Sequence, residues 1–327
     1  MSSTSDLVYL PYTRDLTEGG IVYALRSLPY TYNRKGGSPY EKLRRTVAGA
    51  AVELAFRRHL AEQDVPFEVK GVTPFTKPDR YDVTLGGRRC DIHSFLITRK
   101  NQIAEIKRNP HVVLNAPALV PSDQNAGEGH TDKDIYLFAF LSGLVAASQA
   151  DLQRVIYKKL PYYLIHTMPN AWMRPSRWNS LGALVLKSES AETQIVEIGG
   201  QDEGREMRSL EVELPPNRRI QVDGGFFSVA HIQSKSLPDA RIGIHSPALQ
   251  ETHLIGTMDW GNIWVYGMDI LLAGWLTRAE FNQRAFPVRE GSRVFQFNQT
   301  RTKNLAVAVQ DLKPVSELLE RVKEWSK

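Results

Sequence analysis

The chain has 327 residues, 42% hydrophobic and 24% charged, with 23 glycines and 18 prolines. This is ordinary globular composition, so a disordered, collagen-like or low-complexity protein is excluded, and the length suits two domains or one core with a large insertion. The single cysteine, Cys90, excludes an intrachain disulfide and a multi-cysteine zinc site, and the formal charge of +5 gives only a mild bias towards polyanions.

Half of the twelve tyrosines fall in residues 1–46, a stretch read as an aromatic N-terminal cap with a helix near Asp15–Ser27 and a basic turn whose Arg34 and Lys35 are candidates for contacting nucleic-acid phosphate or, more plainly, belong to a solvated loop. From Thr46 to about Glu62, Gly49, Val52, Glu53, Phe56 and Leu60 recur along one helical face. Three strands are predicted next, over Phe67–Phe75, Tyr81–Leu85 and Arg88–Ile97. A helix is predicted over Arg99–Asn109, and a buried strand over Asp134–Leu144. The order is αβββαβ. Residues 47–150 are taken as one α/β core, 151–258 as a β-rich insertion with strands at Ala183–Lys187, Gln194–Ile198, Leu210–Leu214, Ile220–Val222 and Phe226–Ile232, and 259–327 as a return to the core. That return carries a short helix over Thr277–Ala285, a strand over Arg293–Phe297, and a helix from Pro314 to Trp325 with proline at its first position. The longest uncharged apolar run, Ile135–Ala147, is too short for a bilayer, which needs about 20 residues. The N-terminal residues lack a signal-peptide pattern. A cytoplasmic protein is therefore expected.

Chemistry concentrates at Tyr81–His93. A Gly-Gly pair between alternating runs signals a two-residue hairpin. With Gly86 and Gly87 as the turn, Leu85 faces Arg88, Thr84 faces Arg89, Val83 faces Cys90, and Asp82 faces Asp91. Directly opposed carboxylates repel unless a cation or proton lies between them. Their hard oxygens suit Mg2+ or Mn2+. His93 points to the same side, Val83, Leu85, Cys90 and Ile92 to the other, and Glu53 is available as a third carboxylate. The plainer alternatives are a surface hairpin screened by Arg88 and Arg89, and a Glu53 that simply pairs with Arg57.

This arrangement resembles the PD-(D/E)XK nuclease superfamily, with its restriction-endonuclease-like fold, over about residues 46–145. The matching residues are Glu53 on the helix, Asp82 as the motif aspartate, and Asp91-Ile92-His93 as the acidic-x-basic triplet. The resemblance implies that Glu53, Asp82 and Asp91 bind Mg2+ or Mn2+, that a phosphodiester bond is hydrolysed, and that the partner is DNA, with RNA as the alternative. The candidate assembly is a homodimer. His93 departs from the family lysine: held protonated between carboxylates it would replace that cation, and neutral it would serve as ligand or general base. It also suits a fold that has lost cleavage and binds nucleic acid, or one that supports a β-rich recognition domain. A rival triplet, Glu105-Ile106-Lys107 with Asp91 upstream, needs residues 99–109 as a strand. Arg88, Lys100, Trp172, Arg174, Arg177 and Trp178 are further nucleic-acid candidates, because aromatic and basic groups together stack bases and hold phosphates. Glu128, His130, Asp132 and Asp134 cluster in a Gly-rich loop.

Overall fold

The structure is a computed structural model describing residues 6–30, 38–69, 83–127 and 129–326. First in the chain come strand β1 (Val8–Leu10), helices α1 (Arg14–Ser27) and α2 (Pro39–Glu62), strands β2 (Val83–Leu85) and β3 (Arg88–Ile97), helix α3 (Lys100–Arg108), strand β4 (Pro117–Pro121), the short helix α4 (Ser122–Asn125) and strand β5 (Ile135–Val145). Next are α5 (Gln149–Tyr157), β6 (Leu164–Thr167), α6 (Asn170–Met173), β7 (Leu184–Ser188), β8 (Gln194–Gln201), β9 (Met207–Leu214), β10 (Arg219–Val222), β11 (Ser228–Ser234), β12 (Ile242–Ser246), β13 (Glu251–Ile255) and β14 (Gly261–Asn262). Last are β15 (Val265–Thr277), α7 (Arg278–Arg284), β16 (Phe286–Val288), β17 (Asn304–Ala308) and α8 (Val315–Trp325). The protein is therefore of mixed α/β class. No helix among the described residues is long and apolar enough to cross a membrane.

The chain divides into two compact units, one built from Met1–Gly20, Arg45–Val145 and Val265–Lys327, the other from Ile21–Arg44 and Ala146–Trp264. Residues 1–46 are thus shared between the units, and β1 pairs antiparallel with β15 at the edge of the first unit's main sheet.

That sheet runs β1-β15-β5-β3-β2. Strands β3 and β5 are parallel, in continuous register from Cys90↔Ile135 to Ile97↔Ser142, while β2 and β15 lie antiparallel to their neighbours. The insertion leaves after Val145 and returns at Val265, and these two residues face each other across the β5–β15 ladder. The β2–β3 register is the one expected, Val83↔Cys90, Thr84↔Arg89 and Leu85↔Arg88, with Gly86 and Gly87 at φ 53° and 74°. Both positive values suit a primed turn matching the strand twist. A Cβ on Gly86 would meet the Trp325 side chain at 2.7 Å, whereas Gly87 faces open space. Gly87→Ala is therefore expected to cost only the left-handed backbone strain, about 1 kcal/mol, and Gly86→Ala at least twice that. Thermal denaturation of the two variants checks the order.

Helix α2 starts at Pro39, earlier than expected, and buries Val47, Ala51, Val52, Phe56 and Leu60. Its Gly49 faces Ser94 of β3, which places α2 over the sheet face that also carries Cys90 and Ile92. The opposite face is covered as well. There Phe95, Tyr136, Phe138 and Phe140 pack with Ile106 of α3, Phe281 of α7 and residues of the three-stranded sheet β16-β17-β4. Helix α7 begins in a capping box, in which the Thr277 hydroxyl accepts from the Glu280 amide and the Glu280 carboxylate accepts from the Thr277 amide.

The expected strand Arg293–Phe297 is a tight turn instead, closed by reciprocal backbone hydrogen bonds between Val294 and Phe297. Its apolar side chains pack on the core without a ladder partner, and Arg99 and Gln102 donate to the Phe295 carbonyl. Pro314 is the N-cap of α8, one position before the expected one.

The second unit has two antiparallel sheets, β10-β7-β12-β13 and β14-β6-β11-β8-β9. Alternating inward residues form one core, with Leu184, Leu186, Ile242 and Ile244 from the first sheet and Leu164, Val196, Ile198, Val229 and Ile232 from the second, joined by Trp172, Phe226 and Trp260. This is the pattern of a β-sandwich. The five strands expected in the insertion are present as β7 to β11, while β6, β12, β13 and β14 were not anticipated.

Candidate active site

Alternation along β3 decides what the candidate residues can reach. Ser94 faces α2, so Asp91, His93 and Phe95 leave by the other face, in register with Tyr136, Phe138 and Phe140 of β5. Glu53 belongs to the helix on the Ser94 side and forms an ion pair with Arg57 at 3.1 Å. Glu53 and Asp91 are therefore separated by the sheet. Asp82 lies outside the described residues, and so do Arg34, Lys35 and Glu128. Among the described residues no group of three or more His, Cys, Asp and Glu side chains is arranged to hold a metal ion.

On the Asp91 face the surroundings are aromatic. The His93 ring stacks beside Phe138 at 5.6 Å and meets Tyr136 edge-on at 5.2 Å. Its Nε2 is buried and has no hydrogen-bond partner among the described residues. Burial pushes the His93 pKa down to about 4, with no carboxylate among the described residues counteracting it. His93 is thus neutral at pH 7. Asp91 does not hold the ring protonated, and the Asp82 half of that reading lies outside the described residues.

His231 of the second unit is also driven down to about 4 by burial. An unfolded histidine titrates near 6.5, so the unfolded chain takes up these protons first. Stability is complete above about pH 6.5 and falls as pH drops towards 4, by on the order of 3 kcal/mol for each ring. Urea midpoints measured from pH 7 to pH 4 should show the loss, and His93→Phe should remove one of the two contributions.

Around Asp91 the structure assembles Tyr136, Asn125 and Arg278, which the sequence did not flag. The Tyr136 hydroxyl donates to Asn125 Oδ1 at 3.0 Å, and Arg278 Nη2 donates to the Asn125 carbonyl at 2.7 Å. Burial pushes the Tyr136 pKa up to about 12; Arg278, which is hydrogen-bonded to it, works against this, and the charges of Asp91 and Asp134 add to it. Arg278 Nε is buried without a partner among the described residues. The capping motif Thr277-x-x-Glu280 was the available sequence signal for Arg278, since it fixes that residue at the first position of α7. In the Gly-rich loop, Asp134 is 3% exposed and accepts from the Thr131 amide at 2.9 Å, the Thr131 hydroxyl at 2.7 Å and His130 Nδ1 at 3.3 Å. It anchors a turn.

The remaining candidates are mostly engaged. Glu105 and Lys107 lie on α3, so the rival triplet has no strand to sit on, and Lys107 pairs with Asp269 at 2.9 Å. The Arg88 guanidinium covers the Trp325 ring at 3.5 Å. Trp172 is fully buried in the sandwich core and cannot stack on a base. Arg174 donates to the carbonyls of Pro29 and Leu28. Trp178 has one face under Arg205 at 4.1 Å, and its Nε1 donates to the Glu203 carbonyl. Lys100 and Arg177 are exposed. Comparison with protein-family models, curated protein sequences and solved structures gives no match to this chain.

Proposed function

We propose that the first unit carries a divalent-metal-dependent nuclease core that hydrolyses phosphodiester bonds in DNA. The reading rests on the order and pairing of elements. Helix α2 is followed by an antiparallel bridge from Glu68 to Thr84, by the β2–β3 hairpin, by α3, and by β5 lying parallel to β3. With the Glu68 bridge standing for the first strand, and with β4 and α4 interposed between α3 and β5, these elements are compatible with the αβββαβ order of the PD-(D/E)XK superfamily, and Asp91 and His93 share one face of β3. Asp91, together with Asp82, would hold Mg2+ or Mn2+, and Glu53 has no part in that set. When bound, the ion polarises the scissile phosphate and acidifies the attacking water. His93 contributes a neutral nitrogen, and the positive charge on this face comes from Arg278.

A second reading, a nuclease-like module that binds nucleic acid without cutting it, is favoured by the neutrality of His93 and the burial of its Nε2. Incubating the protein with plasmid and with single-stranded DNA, in Mg2+ and then Mn2+, separates the two. Metal-dependent cutting supports the nuclease, and metal-independent retardation without cutting supports the binding module. Neither event at low salt would leave the core as a scaffold for the β-rich unit.

A further inference from the structure

The second unit brings two histidines together at a rim of its sandwich. His166 of β6 is registered with the fully buried Ile232, and His253 of β13 with the fully buried Ile244, so both rings point into the space between the sheets. Strand β13 is the last of its sheet, and only the two-residue β14 lies beyond β6. The rings close this gap with Nε2 atoms 2.8 Å apart and centroids 5.0 Å apart.

The proton arrangement follows from the partners. His166 Nδ1 is 3.1 Å from the carbonyl oxygen of Asp259, which can only accept, so Nδ1 carries the hydrogen and the neutral ring turns the Nε2 lone pair towards His253. The Asp259 carbonyl is held in place. It also accepts from the Tyr40 hydroxyl, and the Asp259 carboxylate accepts from the Gly256 amide at 2.7 Å. Burial lowers the pKa of both histidines, which favours neutral rings. Glu251, two residues before His253 on the same strand face, and Asp259 set a negative field at the His253 ring. A backbone carbonyl fixing Nδ1–H, so that Nε2 presents its lone pair, is the support that a metal-ligating histidine uses.

We propose that His166 and His253 are the protein ligands of a divalent transition-metal site of the Zn2+ class, which staples the two sheets at this rim. Zn–N bonds of 2.0–2.1 Å in tetrahedral geometry need nitrogens about 3.3 Å apart, so the rings separate by about half an ångström, and His253 binds as its other neutral tautomer, the Nε2 hydrogen having passed to Nδ1. Imidazole nitrogen favours Zn2+, Ni2+ and Cu2+ over Mg2+. Two coordination positions remain for water or for Glu251. This site is independent of the nuclease reading and differs from it in metal preference.

The test is calorimetric titration of the full chain, stripped with chelator and desalted, with zinc chloride and in parallel with magnesium chloride. One equivalent of Zn2+ should bind and raise Tm by several degrees, and Mg2+ should leave this site unaffected. His166→Gln and His253→Gln should each weaken Zn2+ binding at least tenfold, while His245→Gln on the neighbouring strand should not. If the variants fail to fold, Cu2+ electron paramagnetic resonance on the unaltered chain should show two imidazole nitrogens on one ion. Absence of saturable Zn2+ binding, equal binding by the double variant, or a copper spectrum with oxygen ligands alone would overturn the proposal.

Discussion

Asp91→Asn is expected to lower metal-dependent DNA cleavage at least about 100-fold while leaving the fold intact, since the amide matches the carboxylate in size but cannot supply its charge. The neighbours on either side, Cys90 and Ile92, face the α2 layer and keep the strand in register whatever stands at position 91. Circular dichroism and Tm should therefore match the parent while plasmid nicking in Mg2+ or Mn2+ disappears. Glu53→Gln on the far side of the sheet is the internal comparison, and it should retain most of the activity. Equal cutting by Asp91→Asn and the parent would remove Asp91 from the reaction.

Phe281→Ala should be strongly destabilising to the first unit. Phe281 is fully buried, stacks on Phe138 at 5.9 Å and meets Tyr136 edge-on at 5.3 Å. Truncating a buried phenylalanine leaves a cavity and costs about 3–5 kcal/mol, which for a unit of this size lowers Tm by roughly 10 °C. The vacancy opens beside the ring on which His93 stacks, so the imidazole gains access to water. Its NMR titration midpoint should rise from about 4 towards the unperturbed value. A large loss of stability with an unmoved His93 titration would separate that ring from the Phe281 layer.

The hairpin was legible because two adjacent glycines leave few alternatives, and once Gly86 and Gly87 are the turn every facing pair is fixed. The face holding Val83, Leu85 and Cys90 was legible too, since all three are fully buried. What could not be read was the other face. A polar Asp91 and His93 suggest a side open to water, yet both are only partly exposed, on a sheet face that carries the Phe95, Phe138 and Phe281 aromatic cluster. Alternation reports which residues share a face, and it says little about what lies above that face. Arg293–Phe297 misled for a related reason, because apolar side chains can be buried from a turn as well as from a strand. Trp172 resembled part of a stacking surface only while its neighbours in sequence were taken as its neighbours in space. The pair His166 and His253, separated by 87 positions, carries no local signal at all.

The meeting of Val145 with Val265 has an architectural consequence. Because the two ends of the inserted segment are already side by side in one antiparallel ladder, the host sheet meets it as an enlarged β-turn. Loop entropy grows only logarithmically with length, adding about 0.6 kcal/mol per doubling. Enlarging that excursion from a few residues to a whole sandwich thus burdens the parent sheet little. The closure cost at this junction is set by its two adjoining ends, while Ile21–Arg44 joins the same unit through a second pair of chain crossings.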